Sequence, residues 1–244
     1  MRPHHFFTVF NLKFQTWGTC FALAALLGFF LLIYLGQKKG KSADVLYNIF
    51  FIGFFAGIIG ARAFYFLVHP ETFSLVSFLY FWQGGYVLFG GAIFALLAII
   101  LYLVYKKLPL LDYFNLLVIP ALSNLILIRI GSYLVWDNIG RVTTVPWAIN
   151  FLGQMRHPID LYFIFLDVLL LLPTIYLFKK QDKRLFFLIL IFLSIGRLII
   201  HQFSVFATTW DANANIIFWI IGLLAGLIGF GFLTAQKNKL DLPN

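Results

Sequence analysis

Seven stretches of this chain are almost entirely apolar, and the polar residues gather between them. Each stretch is roughly 20 residues long, which is the length that an α-helix needs to cross the hydrocarbon core of a bilayer. The seven predicted spans are about 16–36, 45–67, 86–105, 113–136, 160–178, 185–205 and 215–234. The pattern therefore predicts an all-α, polytopic membrane protein with seven transmembrane helices.

The composition agrees with this fold class. The chain is 62% hydrophobic and only 11% charged, whereas about a quarter of the residues in soluble domains are charged. Seven spans with short loops account for most of the 244 residues. We therefore expect one integral membrane domain, 1–244, with an outer motif loop at about 137–159. The first span is too long for a cleaved signal peptide, so we expect it to be retained.

The basic residues predict the orientation of the spans. Eleven lysines and arginines follow the first, third, fifth and seventh spans: Lys38, Lys39, Lys41, Lys106, Lys107, Lys179, Lys180, Lys183, Arg184, Lys237 and Lys239. By the positive-inside rule this side is cytoplasmic, so the N-terminus is outside and the C-terminus is inside. The net charge of +9 then reflects topology and attraction to anionic membrane lipid, and no nucleic-acid partner is expected.

Three arginines fall within the predicted spans, in the outer halves of the second, fourth and sixth: Arg62, Arg129 and Arg197. A cation at this depth is costly and needs a partner or a water-filled cavity. The three can converge on one outward-facing pocket. Because a guanidinium fork matches phosphate oxygens, Arg129 and Arg197 in such a pocket suggest an anionic phospholipid headgroup. The alternatives are snorkelling to the outer interface, above all for Arg62, and structural ion pairs with Asp137 or Asp160.

Helical spacing adds neighbours to two of these arginines. Ser132 and Trp136 follow Arg129 by three and seven residues, and His201 follows Arg197 by four, so each set shares a helix face. Gly131 and Gly196 favour close helix packing beside them, and the segment 82–92 has two glycine pairs suited to a tight turn or a close helix contact. Asp167 either pairs with an arginine or faces the bundle.

Several other classes of site have no support in the sequence. Cys20 is the single cysteine, so a disulfide is excluded, and we expect it to be a packing residue. The sequence has no GxSxG elbow, P-loop or HExxH helix, and no internal repeat. No cofactor and no metal ion are expected.

Five blocks carry a resemblance to a known family: GARAFYFLVHP (60–70), WQGGYVLFGGA (82–92), RIGSYLVWDNIGRVTTVPWA (129–148), RHPIDLY (156–162) and GRLIIH (196–201). In this order they resemble the prolipoprotein diacylglyceryl transferases. The family pattern GRIGNFxNGExxGRxTxxPW is matched at Arg129, Gly131, Gly140, Arg141, Thr143, Pro146 and Trp147. The pattern RHPxQLY is matched at Arg156, His157, Pro158, Leu161 and Tyr162.

The resemblance implies a transferase of the bacterial cytoplasmic (inner) membrane. Its substrates would be phosphatidylglycerol and the lipobox cysteine of a lipoprotein precursor, and its products a thioether and glycerol phosphate. The catalytic residues it suggests are Arg129 and Arg197, and we add His201 as a catalytic candidate because it could supply a base. The substrate-binding residues it suggests are Arg129, Ser132, Asp137, Gly140, Arg141, Arg156, His157 and Tyr162.

The chain also departs from the family pattern at several positions. The histidine of the family's HGG is Phe89, the asparagine after GRIG is Ser132, and the NGE triplet is Val135, Trp136 and Asp137. The family's sixth-span glutamate is His201, whose imidazole titrates near neutrality and could replace the missing base. The alternative is a non-catalytic relative that binds phospholipid or the precursor lipobox. An unrelated channel or transporter has less support.

Overall fold

The computed structural model describes residues 5–9, 12–80, 85–206 and 208–240. The helices in chain order are α1 (Thr16–Lys38), α2 (Ala43–Val68), α3 (Leu75–Leu79), α4 (Leu88–Tyr105), α5 (Leu110–Val135), α6 (Ile159–Lys179), α7 (Leu185–His201) and α8 (Thr209–Leu240). The strands form two antiparallel hairpins, β1 (His5–Val9) with β2 (Leu12–Gln15) and β3 (Ile149–Phe151) with β4 (Gln154–Arg156). The apolar pattern did not predict the hairpins.

Within the described residues, six helices are long and apolar enough to cross a membrane: α1, α2, α4, α5, α6 and the Thr209–Gln236 part of α8. This confirms the prediction of a polytopic, mainly helical membrane protein. The remaining apolar helix, α7, has 17 residues, which corresponds to about 26 Å and to the lower limit for a span. The seventh span, the orientation and the single domain stay predictions.

Helix α8 begins earlier than the predicted span of 215–234, because a polar cap determines its start. The backbone N–H of Asp211 donates to Thr208 Oγ1 over 3.0 Å, and that hydroxyl donates to the Asp211 carboxylate over 2.8 Å. Such a cap satisfies one of the free N–H groups of a helix end. Hydropathy alone carries no information about this contact.

The chain folds as two compact units, a smaller unit of residues 32–113 and a larger unit of residues 1–31 with 114–244. In the smaller unit α2 and α4 pack closely and run antiparallel, with glycines at their contact. A Cβ atom on Gly60 would lie 2.9 Å from the carbonyl oxygen of Gly90, and one on Gly91 would lie 3.0 Å from that of Gly57. The close helix contact predicted for the 82–92 segment is confirmed at Gly90 and Gly91, and Gly84 lies outside the described residues.

Arg62 is buried in the smaller unit and bonds to backbone. Its guanidinium donates to the carbonyl oxygens of Gly85 and Tyr80, each over 3.2 Å, and to that of Ser77. Gly85 has a φ of +76°, which confirms the predicted tight turn before α4. Because Arg62 is only 3% exposed, the snorkelling interpretation is wrong for this residue.

The larger unit packs α7 against α8 through small residues. Cβ atoms on Gly222, Gly226 and Gly229 would meet Ser194, Ile191 and Phe187 of α7 at less than 3.0 Å. At the start of α7, the backbone N–H of Phe186 donates to Asn115 Oδ1 of α5 over 2.8 Å. Helix α7 is therefore anchored both at its start and along its length, which fixes the position of the polar residues near its end.

Candidate functional site

One face of α6 carries two acids and an aromatic ring. Asp160, Phe163 and Asp167 follow one another at intervals of three and four residues, so they point the same way from the helix. Both carboxylates are buried, with residue exposures of 3% for Asp160 and 0% for Asp167. Buried carboxylates need charged or hydrogen-bonding partners, and α5 and α7 supply them.

Asp167 pairs with Arg197 of α7. Arg197 Nη2 lies 2.8 Å from both carboxylate oxygens, and Arg197 is itself only 2% exposed. The other two guanidinium nitrogens, Nε and Nη1, are buried and have no hydrogen-bond partner in the described part of the chain. Arg197 is therefore held firmly at one nitrogen, and the N–H groups of its other two nitrogens remain available to a ligand.

Asp160 pairs with Arg129 of α5. Arg129 Nη1 lies 3.6 Å from Asp160 Oδ1, and the same oxygen accepts a 2.7 Å hydrogen bond from Asn138. Arg129 Nε is buried without a partner among the described residues. The ion pair with Asp160, left as an alternative by the sequence, is therefore present, whereas Asp137 is exposed beyond the helix end.

The ring of Phe163 joins the two ion pairs. The guanidinium carbons of Arg129 and Arg197 lie 4.2 and 4.3 Å from its centroid. Stacking on an aromatic face stabilises a desolvated cation. Two cations with unused donors are thus fixed close together, which is the arrangement that could bind the oxygens of one phosphate group. The sequence predicted that the two side chains face a common cavity. In the structure, both guanidinium groups lie against the ring of Phe163.

Other side chains pack closely against the two predicted glycines beside these arginines. A Cβ atom on Gly131 would lie 2.7 Å from the Cβ of Cys20, and one on Gly196 would lie 2.5 Å from a methyl group of Leu166. The close approaches predicted at both glycines are confirmed. Cys20 is buried and free, which confirms its predicted packing role.

The end of α5 differs from the prediction. Trp136 has a φ of +61° and follows the last helical residue, Val135. It therefore does not share the helix face of Arg129, whereas Ser132 lies on the helix and is 2% exposed. The N–H of Asp137 donates to the carbonyl of Ser132 over 3.1 Å, which closes the helix in the manner usual when glycine occupies the left-handed position.

The loop that follows α5 is bonded to the segment after α7. The N–H of Arg141 donates to the carbonyl of Phe203 over 2.8 Å, and the N–H of Val205 donates to that of Ile139 over 2.9 Å. Gly140 lies between these bonds, where a Cβ atom would come within 2.0 Å of the His157 carbonyl oxygen. Only glycine fits this position without a backbone shift.

Three further predicted site residues make contacts at this loop, namely Arg156 and His157 of the loop and Tyr162 at the start of α6. Arg156 donates to the carbonyl of Gly140 over 2.9 Å, and His157 Nδ1 lies 2.9 Å from the hydroxyl of Tyr162. That hydroxyl also accepts a 2.8 Å hydrogen bond from Trp147. These contacts hold the loop in place, so Arg156, His157 and Tyr162 support the site from outside the arginine cluster.

His201 lies one turn beyond Arg197 on α7 and lines a cleft of about 390 Å³. The residue is 8% exposed, and its Nε2 lies 3.1 Å from the carbonyl oxygen of Ala212. Because a carbonyl only accepts, Nε2 carries the proton and Nδ1 is left as the basic nitrogen. Arg141 lines the same cleft and donates from Nε to the carbonyl of Ser204 over 3.4 Å.

Phe89 belongs to the smaller unit, where its ring packs edge-on against Phe64 with the centroids 5.6 Å apart. Within the described ranges, no three His, Cys, Asp or Glu side chains are grouped so that they could hold a metal ion.

Comparison with known proteins gives one consistent family. A family model described as prolipoprotein diacylglyceryl transferase matches residues 4–232. A phosphatidylglycerol–prolipoprotein diacylglyceryl transferase of Clostridium botulinum (strain Langeland) is 28% identical over 190 residues, covering 73% of this chain and 75% of the relative. A relative with the same name from Finegoldia magna is 28% identical over 72% of this chain and 72% of its own length. Another from Clostridium tetani is 26% identical over 80% of this chain and 82% of its own length.

Proposed function

Because the chain belongs to the prolipoprotein diacylglyceryl transferase family, we propose that it transfers a diacylglyceryl group from phosphatidylglycerol to the lipobox cysteine of a lipoprotein precursor. The observation that carries this proposal is the pair of arginines on the Phe163 ring. Both keep buried donors without partners among the described residues. Such donors suit a phosphate diester that enters from the bilayer.

The proposed reaction is a displacement at carbon. The cysteine sulfur bonds to the terminal glycerol carbon of the diacylglyceryl group. The bond between that carbon and the phosphate oxygen breaks, and its electron pair leaves with glycerol phosphate. The thiol proton goes to a base, and the nucleophile comes from the precursor, so Cys20 has no part in the chemistry.

The roles of the side chains follow from the charge that develops. Arg129 and Arg197 stabilise the second negative charge that appears on the departing phosphate. Asp160 and Asp167 hold the two guanidinium groups in place, so little reorganisation is needed during the reaction. In this proposal Ser132, Asp137, Gly140 and Arg141 contact the substrate or shape its site, as the resemblance implies.

A second candidate is a relative that binds phospholipid or precursor without catalysis. Two observations favour it. Each arginine already has a carboxylate partner, and Phe89 occupies the place where the resemblance expects a histidine. A binding protein needs the cations but no base.

One assay separates the two candidates. Purified protein is mixed with phosphatidylglycerol and a lipobox peptide, and glycerol phosphate release is followed together with lipid binding. Release that depends on the peptide's cysteine supports the transferase. Binding without release supports the second candidate, and the same peptide with serine in place of cysteine is the matched control.

His201 is the base that we propose for this chain. His201→Ala should lower the rate of glycerol phosphate release by about 10²-fold, which is the lower end of the contribution of a general base. Because Nε2 donates to the carbonyl of Ala212, Nδ1 is the nitrogen that would accept the thiol proton. The control is His201→Gln, whose amide can still donate to that carbonyl but has no basic nitrogen. If glutamine restores the rate, the role of His201 is structural.

We further propose seven spans in the bacterial inner membrane, with the N-terminus outside. Lys106→Cys and Lys180→Cys, each combined with Cys20→Ala, should be protected in intact cells from a membrane-impermeant maleimide, because both positions belong to the basic, cytoplasmic clusters. Met155→Cys, in the exposed outer hairpin, should be labelled in the same cells. Labelling at Lys106 or Lys180 from outside contradicts this topology.

A further inference from the structure

Residues 69–80, here called the connector, follow α2 and expose large apolar side chains. Leu75 is 72% exposed, Val76 57% and Leu79 55%. The connector has no lysine or arginine, and its single acid is Glu71. A patch of this kind outside a transmembrane helix marks an interaction surface.

The connector returns alongside the end of α2. Arg62 lies six residues before the last residue of α2, which corresponds to about 9 Å along the helix axis. Its guanidinium bonds to the carbonyls of Ser77 and Tyr80, so these residues are drawn back toward the level of Arg62. The N–H of Val87 donates to the carbonyl of Ala61 over 3.1 Å, so the chain reaches the start of α4 at a similar depth.

The ring of Phe66 in α2 packs against a second side of the connector. The ring of Phe66 lies 5.4 Å from that of Phe73 and 6.0 Å from that of Phe78, measured between centroids. These contacts use one side of the connector and leave Leu75, Val76 and Leu79 on the outside.

Several polar groups of the connector have partners in the protein, as burial in lipid requires. The N–H of Ser77 donates to Ser74 Oγ over 3.0 Å, and Thr72 Oγ1 donates to the carbonyl of His69 over 2.8 Å. Arg62 bonds the carbonyls of Ser77 and Tyr80. The segment can therefore leave water without exposing these backbone groups to hydrocarbon.

We propose that the connector is immersed in the membrane interface, with Leu75, Val76 and Leu79 among the acyl chains and Arg62 as the residue that holds it there. The occupant of the surface is lipid because the patch is continuous with the apolar surface of two membrane-crossing helices. Leu67 at the end of α2 is 71% exposed and Leu88 at the start of α4 is 53% exposed. The proposal is independent of the transferase reaction.

Spin labels measure the immersion directly. Leu75→Cys is labelled with a nitroxide in a Cys20→Ala background and reconstituted into phosphatidylglycerol and phosphatidylcholine vesicles. We expect collisions with oxygen to exceed those with a water-soluble nickel chelate several-fold. Glu71→Cys, on the same connector, is the matched control and should favour the nickel chelate. Access of the chelate to position 75 overturns the proposal, and so does exclusion of both reagents, because a protein partner then covers the surface.

A separate variant tests whether Arg62 holds the connector at its depth in the membrane interface. Lysine cannot serve three carbonyls with planar geometry, so Arg62→Lys should raise the access of the chelate to the label at position 75 several-fold. A label on Leu101→Cys, which is 61% exposed on α4, should keep its preference for oxygen in the same variant, since the span remains inserted. An unchanged depth at position 75 with α4 still inserted contradicts the role of Arg62.

Discussion

Replacing Arg129 with lysine should lower the rate of glycerol phosphate release by about 10³-fold, the upper end of the effect of removing a donor that is aimed at developing negative charge. Lysine keeps the positive charge beside Asp160, so that carboxylate is not left unpaired. It loses the planar fork and the stacking on Phe163 that fix the direction of the donors. The measurement is kcat/KM with phosphatidylglycerol and the lipobox peptide.

The control for Arg129 is another arginine paired with an aspartate. Arg184 Nη2 lies 2.9 Å from Asp182 Oδ2 in the basic corner before α7, where the two side chains are 26% and 29% exposed. Arg184→Lys should retain nearly the full rate, because a partly exposed pair of this kind contributes little. A rate for Arg129→Lys close to that of Arg184→Lys would exclude a role for the Arg129 fork in the reaction.

Asp167→Asn should lower the free energy of unfolding by about 3–5 kcal/mol, because it leaves the charge of Arg197 buried without its partner. The pair is the most deeply buried ion pair among the described residues, with side-chain exposures of 2% and 0%. The measurement is the thermal unfolding midpoint in detergent, with glycerol phosphate release followed in parallel. An unchanged midpoint would mean that Asp167 does not stabilise Arg197.

A double variant separates stability from function at the same place. Replacing a whole buried ion pair with apolar residues of similar volume is often neutral or stabilising. Asp167→Leu combined with Arg197→Met should therefore recover most of the unfolding midpoint that Asp167→Asn loses. It should not recover glycerol phosphate release, because the cation for the phosphate is gone. A stable and active double variant would show that Arg197 is only structural.

The sequence predicted the helices well and their ends less well. Length and hydropathy are enough to find the membrane-crossing helices, because a bilayer demands about 20 apolar residues in each. The start of α8 at Thr209 depends on the side-chain cap at Thr208. The predicted end of α5 is one residue past the observed end at Val135, but the left-handed conformation of Trp136 that closes the helix could not be read from hydropathy. Such local hydrogen bonds change no apolar pattern.

The sequence predicted the arginines of the candidate site but not the ring between them. A buried arginine is conspicuous in an apolar run, so Arg129 and Arg197 could be found. Phe163 is one of 31 phenylalanines, and nothing in its local sequence distinguishes a ring that stacks on two cations from one that faces lipid. The signal that could have found it is its spacing between Asp160 and Asp167, on one face of α6.

The contacts of the outer loop show why the sequence alone could not separate substrate-binding residues from residues that hold the loop in place. The resemblance assigns Arg156 and His157 to substrate, and their contacts lie with Gly140 of the same loop and with Tyr162 at the start of α6. Residues that touch a substrate and residues that hold the loop around it occupy the same polar segment. Only the bonds of each side chain distinguish the two roles.

Trp136 joins two elements that the chain separates. Its backbone occupies a conformation that costs a bulky residue about 1–3 kcal/mol, and its ring lies 4.9 Å from that of Phe151 in the β3–β4 hairpin. The hairpin therefore helps to keep the helix end in its strained shape, and the helix end anchors the hairpin. The last turn of α5 and the hairpin should open together as one cooperative unit, so that their amide hydrogens exchange with solvent deuterium at a common rate.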